Sequence, residues 1–191
     1  MPAKLTKSLW QMMTPYLASK MDDFQNPLAI VAQHQKEPPI SVGEIAAALG
    51  LEVVRRSLGK EVSGMIMRDT TGKARSGFTV YVNTDDNIYR QRFTAAHEIA
   101  HYILHRDLIE NGVIDDTMYR SKELNSVYET QANQLAADIL MPIRLVKKWR
   151  EKVSDTKNLA KTFGVSEQAM AIRLKGMDAS RLPNPETTTP F

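Results

Sequence analysis

Apolar residues recur along this chain first at helical spacing, then at strand spacing, then at helical spacing again. Over residues 5–21, Leu5, Leu9, Met12, Met13 and Leu17 fall on one side of an amphipathic helix, which Pro15 weakens or splits. A short helix around 27–36 ends before Pro38-Pro39. Ser41 caps a helix through Leu49; Glu44, three residues on, completes a capping box, and Gly50 closes the far end. Residues 51–83 read as strands: Leu51–Val54, Gly64–Arg68 and Gly77–Asn83, with Thr70-Thr71-Gly72-Lys73 turning between the last two. In Phe78-Thr79-Val80-Tyr81-Val82 large and small residues alternate unevenly, so both faces of that strand are expected to be covered. The expected sheet is small and antiparallel.

The third strand leads through Asn83-Thr84-Asp85-Asp86-Asn87 into a helix with an unusual polar edge. Taking His97 as origin, Phe93, Ala96, Ala100, Ile103 and Leu104 fall on one continuous apolar arc. His97 and His101 sit at the edge of that arc and Glu98 just beyond it. The five residues His97-Glu98-Ile99-Ala100-His101 read H-E-x-x-H, the signature of zinc hydrolases. Residues four apart on a helix lie one turn apart on nearly the same face, so two imidazoles at that spacing can grip one ion. Glu98 is then placed to take a proton from water activated at the metal. A core helix with merely hydrogen-bonded histidines is the plainer reading; two histidines at ligand spacing beside a glutamate argue against it.

A catalytic zinc needs three protein ligands and an open position. His105 continues the i, i+4, i+8 series, but two helical turns, about 12 Å along the axis, separate it from His97. Tyr102, Ile103 and Leu104 supply no glycine break that would fold it back. The next strong helix, Tyr128–Pro142, carries Glu129 and Asn133 four apart on one face, with Ala132 and Ala136 small enough for close packing. Spacing alone leaves Glu129 either the third ligand or one more solvated carboxylate. Asn133 is placed to orient a histidine ring or Glu129 itself.

Taken together, Arg92-Phe93-Thr94-Ala95-Ala96-His97-Glu98-Ile99-Ala100-His101, Glu129-x-x-Ala132-Asn133-x-x-Ala136-Ala137 and Leu140-Met141-Pro142 resemble the ImmA/IrrE-type metallopeptidases. Pro38-Pro39-Ile40, Ile45-Ala46, Leu49-Gly50-Leu51, Ser63-Gly64 and Val82-Asn83 extend the likeness, which runs from about residue 27 to 175. The resemblance implies an α+β fold, a mostly helical zincin-like core with a small antiparallel sheet, followed by a small helical, helix-turn-helix-like (HTH-like) domain. It implies Zn2+ held by His97, His101 and Glu129, with Glu98 as general base. It also implies limited proteolysis of a partner protein, a helix-turn-helix transcriptional repressor of the Xre type. Transcription regulation, mobile genetic elements and stress responses are the settings that go with it. An oxyanion-stabilising group is also needed; His105, Tyr81, Tyr119 and Tyr128 are all candidates.

Composition narrows this reading slightly. The chain has 191 residues and no cysteine, which excludes disulfides and a thiolate metal site. A formal net charge of +3 gives no bulk argument for nucleic acid. Met1-Pro2-Ala3-Lys4 opens no apolar signal segment and no run reaches a membrane span, so the expectation is a cytoplasmic protein. Asn158–Met170 reads as helix, tight turn, helix, followed by Arg173 and Lys175. DNA contact and simple helix packing are its two readings, and the weak charge favours packing. The expected organisation is an N-terminal helical extension over 1–26, a metallopeptidase core over 27–150, a small helical domain over 151–180 and a disordered tail over 181–191. The rival functional class is a non-hydrolytic, zinc-containing regulator that binds a repressor or DNA.

Overall fold

The computed structural model describes residues 26–110 and 122–179. The amphipathic segment 5–21, Tyr119 and the tail 181–191 lie outside the described residues.

Asn26 opens helix α1 (Pro27–His34): its Oδ1 accepts from the Leu28 N–H at 3.0 Å, and Pro27 takes the first helical position, where no N–H is needed. Ser41 caps α2 (Val42–Ala48), its Oγ accepting from the Glu44 N–H at 3.4 Å. Strands β1 (Glu52–Arg56), β2 (Gly64–Arg68) and β3 (Phe78–Asn83) form one sheet in the order β1-β3-β2. β2 and β3 are antiparallel, with Ile66 opposite Val80. β1 and β3 run parallel, with Val53 opposite Val80.

The sheet is therefore mixed, not antiparallel as expected. β3 is the most apolar strand and takes the central place, where Phe78, Val80 and Val82 are buried together with Thr79 and Asn83. The chain runs along β1, crosses to the far side, and returns through the β2–β3 connection into the middle, which makes β1 and β3 parallel. Asn83 secures the crossing: its Nδ2 donates to Gly59 O at 2.6 Å and Val62 O at 2.7 Å, and its Oδ1 accepts from Leu58 N at 3.2 Å.

Helix α3 (Ile88–Glu110) lies against the sheet on one side and α4 (Lys122–Leu140) on the other. This explains why its apolar arc is wider than expected. Ile99, outside the arc, is fully buried, whereas Leu104, inside it, is 44% exposed. The helix also bends at His105, whose φ of −129° and ψ of 21° leave the helical region. Continuation through Tyr102, Ile103 and Leu104 holds, but the straight course beyond them does not.

Pro142 ends α4 and opens α5 (Ile143–Arg150). Asp155 caps α6 (Thr156–Phe163), and Gly164, at φ +64°, makes the left-handed turn into α7 (Glu167–Ala179). Leu159, Phe163, Val165 and Met170 belong to the same apolar cluster as Ile40, Ile45, Val80, Ile99 and Ile139. Arg92, half-buried on α3, ties the parts together: its Nε donates to Gly164 O at 2.9 Å and its Nη2 to Ile40 O at 2.8 Å. Among the described residues no helix is long and apolar enough to cross a membrane.

Candidate metal centre

The α3–α4 contact is built from small residues. Ala96 and Ala100 on α3 and Ala132 and Ala136 on α4 are all fully buried, so the two backbones approach closely. Closeness brings short polar side chains from both helices to one point. His97 Nε2 lies 3.2 Å from Glu129 Oε2, His101 Nε2 lies 3.2 Å from Glu129 Oε1, and the two Nε2 atoms are 3.0 Å apart. Ligand atoms on a tetrahedral zinc, each about 2.0–2.1 Å from the ion, stand about 3.3 Å from one another. The three side chains thus meet at nearly the spacing a single small cation requires, and two imidazoles with one carboxylate are the donor set of a catalytic zinc.

The same proximity shapes the charges of these side chains. Hydrogen bonds from His101 and then His97 hold the Glu129 carboxyl far below the usual carboxylate range. Burial pushes the His97 imidazole down, but the bond to Glu129 and the nearby Glu98 charge outweigh it and raise His97 overall.

Glu98 sits behind the histidines, only 9% exposed, and does not join the triad. Burial raises its pKa, with the neighbouring His97 and His101 acting in the opposite sense. Edge strand β2 reaches it because residue 64 is glycine. A methyl group at Gly64 would come within 2.3 Å of Thr94 Cγ2 and 2.7 Å of Tyr81 O, with Glu98 Cγ at 3.8 Å. On the other side, a groove of about 840 Å³ opens along Phe93, Asn133, Ala137, Met141, Ile172 and Met177. It meets the triad at Phe93, whose ring centroid is 6.4 Å from that of His97.

Both histidines are held from behind. Asn133 Oδ1 lies 3.1 Å from His97 Nδ1, one of the two positions anticipated for that amide. His101 Nδ1 lies 3.1 Å from His105 Nδ1, and His105 Nε2 lies 3.0 Å from Gln131 Oε1. His105 is 5% exposed, and burial holds its pKa below the ordinary histidine value. Gln131 has no sequence signal of its own; the third histidine of the i, i+4, i+8 series was the only pointer to this arrangement.

Of the oxyanion candidates, His105 faces His101 and Gln131, and the Tyr128 ring packs edge-on against His105 at 4.9 Å between centroids. The Tyr81 ring lies beneath the Arg56 guanidinium at 4.5 Å.

Comparison with known proteins agrees with this picture. The chain is 27% identical over 106 residues to metallopeptidase ImmA of Bacillus subtilis, covering 56% of this chain and 57% of that protein. It is 30% identical over 150 residues to the radiation response metalloprotease IrrE of Deinococcus radiodurans, covering 74% of this chain and 44% of that one. The chain thus spans about half the length of these curated relatives. In fold it is similar to a Mycobacterium tuberculosis transcriptional regulator, with a TM-score of 0.52 at 18% identity over 87% of this chain and 48% of that one. A sequence profile for the IrrE N-terminal-like domain matches residues 46–175, and the chain belongs to that family, the ImmA/IrrE metallopeptidases.

Proposed function

We propose that the chain is a zinc-dependent endopeptidase that makes limited cuts in a partner protein, a helix-turn-helix repressor of the Xre type. The observation that carries this is the convergence of His97, His101 and Glu129, whose ligand atoms lie within 4.8 Å of one another beside a buried Glu98. When bound, zinc acts as a Lewis acid toward water and the scissile carbonyl. Glu98 takes the proton of the attacking water and passes it to the departing amine nitrogen. Its burial suits that task, since a raised pKa makes the carboxylate a stronger base. A purely structural zinc site would have no use for it.

Substrate is held in extended form. The outer edge of β2 offers backbone donors and acceptors, and Gly64 brings that edge close to Glu98. A folded partner must therefore present a loop or an unwound helix, and the result is one or a few cuts. The α6–α7 segment serves as packing rather than as a DNA reader. In support, the Arg173 guanidinium is engaged, donating to Met141 O at 2.9 Å and pairing with Asp138 at 2.5 Å.

The test is to incubate zinc-loaded protein with the Xre-type repressor encoded beside its gene and, separately, with an unfolded protein, and to map products by mass spectrometry. One or a few cuts in the repressor are expected. Broad digestion of the unfolded protein with the repressor untouched would mark a general peptidase. Tight repressor binding without a cut would mark a non-hydrolytic regulator.

A further inference from the structure

Proton positions behind the triad can be followed outward from two side-chain amides on α4. An amide oxygen only accepts a hydrogen bond, so Gln131 Oε1, 3.0 Å away, requires a hydrogen on His105 Nε2. A neutral imidazole carries one N–H, which leaves His105 Nδ1 as an acceptor. His101 Nδ1, 3.1 Å from it, must then be the donor. With His101 neutral, as metal binding requires, that leaves its lone pair on Nε2, the atom that donates to Glu129 when it carries a proton instead. Asn133 Oδ1 does the same for His97 in one step, placing the hydrogen on Nδ1 and the lone pair on Nε2.

From this chain of bonds we propose that His105 and Gln131 are positioning residues for the metal ligand His101, fixing its tautomer and ring orientation as Asn133 fixes those of His97. The inference rests on the metal reading above. His105 is not a spare ligand, because it bonds the nitrogen of His101 that faces away from the triad. The backbone agrees with a dedicated role. α3 leaves helical geometry at His105, and no proline or glycine lies between Ile88 and Glu110 to account for the bend. Tyr128, also on α4, packs its ring against the same imidazole. α4 therefore supplies a ligand, Glu129, the outer partner of His97, Asn133, and the group that anchors His105 behind His101, Gln131. Metal-binding histidines generally depend on such partners, and losing one weakens binding about 10- to 100-fold.

Two measurements on the full chain test this. Long-range 1H–15N correlation of the zinc-loaded, 15N-labelled protein should show His97 and His101 with hydrogen on Nδ1 and His105 with hydrogen on Nε2. Hydrogen on His105 Nδ1 would overturn the assignment. Zinc affinity, measured by chelator competition, should fall about tenfold or more in His105→Phe and measurably in Gln131→Leu. It should be kept in Gln131→Glu, whose carboxylate still accepts. Gln131 is exposed, so its variants should fold even if His105→Phe does not, and melting of the metal-free forms checks this. Wild-type zinc affinity in both Gln131→Leu and a folded His105→Phe would overturn the inference alone. Failure of the unmodified chain to take up zinc would overturn the metal reading, and this inference with it.

Discussion

Asn133 Oδ1 sits 3.1 Å from Nδ1 of His97, on the side of the ring opposite the nitrogen that faces Glu129. Glu129 and Asn133 are one turn apart on α4, so the same helical face that offers a carboxylate to the candidate cation site also holds the ring of its neighbour. The α3–α4 packing and the site geometry are thus one feature. Separating the helices by the width of a larger side chain would move a ligand and an orienting group together.

Asn133→Leu should keep the fold, since Asn133 is exposed, but free the His97 ring to take the wrong tautomer. Zinc affinity should drop about 10- to 100-fold, whereas Asn133→Asp, which retains the acceptor, should stay near the original value. Chelator competition measures both, and equal affinities in the two variants would remove Asn133 from the site.

Glu129→Ala should lower zinc content well below one per chain, because two imidazoles leave the ion under-coordinated. Metal analysis of dialysed protein reads this directly. Full retention would mean that another carboxylate completes the site.

Glu98→Gln should bind zinc as the original protein does, since Glu98 stands apart from the converging triad. It should lose nearly all hydrolysis, because an amide cannot accept the proton at neutral pH. Parallel metal analysis and a cleavage assay separate the two effects. Joint loss of metal and activity would make Glu98 a structural residue.

Much of this site is legible in the linear chain because its key residues lie at helical periods. His97, His101, Glu129 and Asn133 are spaced by fours on two helices, and the alanines that bring those helices together are visible between them. What is not legible depends on tertiary surroundings. The parallel β1–β3 pairing follows from β3 taking the sheet centre, which local pattern cannot reveal. The burial of Ile99, outside the apolar arc, follows from α3 being covered on two sides. Gln131 reaches His105 from another helix, at a residue where α3 leaves helical geometry.

Arg92 lies within the stretch that resembles the family, but its bonds point away from the metal, to Ile40 O and Gly164 O. Arg92→Met should therefore act on stability. Loss of two charged hydrogen bonds should cost about 2–3 kcal/mol, lowering Tm by about 4–12 °C for a chain of this size. Zinc stoichiometry at low temperature should be unchanged. A normal Tm with reduced zinc content would instead give Arg92 a role at the site.

Without the metal, burial lowers the His97 pKa but the bond to Glu129 and the Glu98 charge outweigh it and raise it, while bonds from His101 and then His97 lower that of Glu129. The sign of each contribution follows from linkage. The His97 part is fully present below the unfolded histidine pKa and is lost as pH rises through the raised folded value. The Glu129 part is present above the unfolded carboxylate pKa and is lost as pH falls through the depressed folded value. Metal-free protein is thus steadied by this pair in mildly acidic solution and less so above neutrality. Zinc needs both imidazoles deprotonated, so its binding releases protons and weakens by about tenfold per pH unit for each proton it displaces. The difference in Tm between zinc-loaded and metal-free protein should therefore widen as pH rises from about 5.5 to about 7.5. His97→Ala, which lacks a ligand, should abolish most of the gap itself at every pH. Scanning calorimetry with and without a chelator across this range measures it, and a constant or shrinking gap would show that His97 does not exchange its proton for the metal.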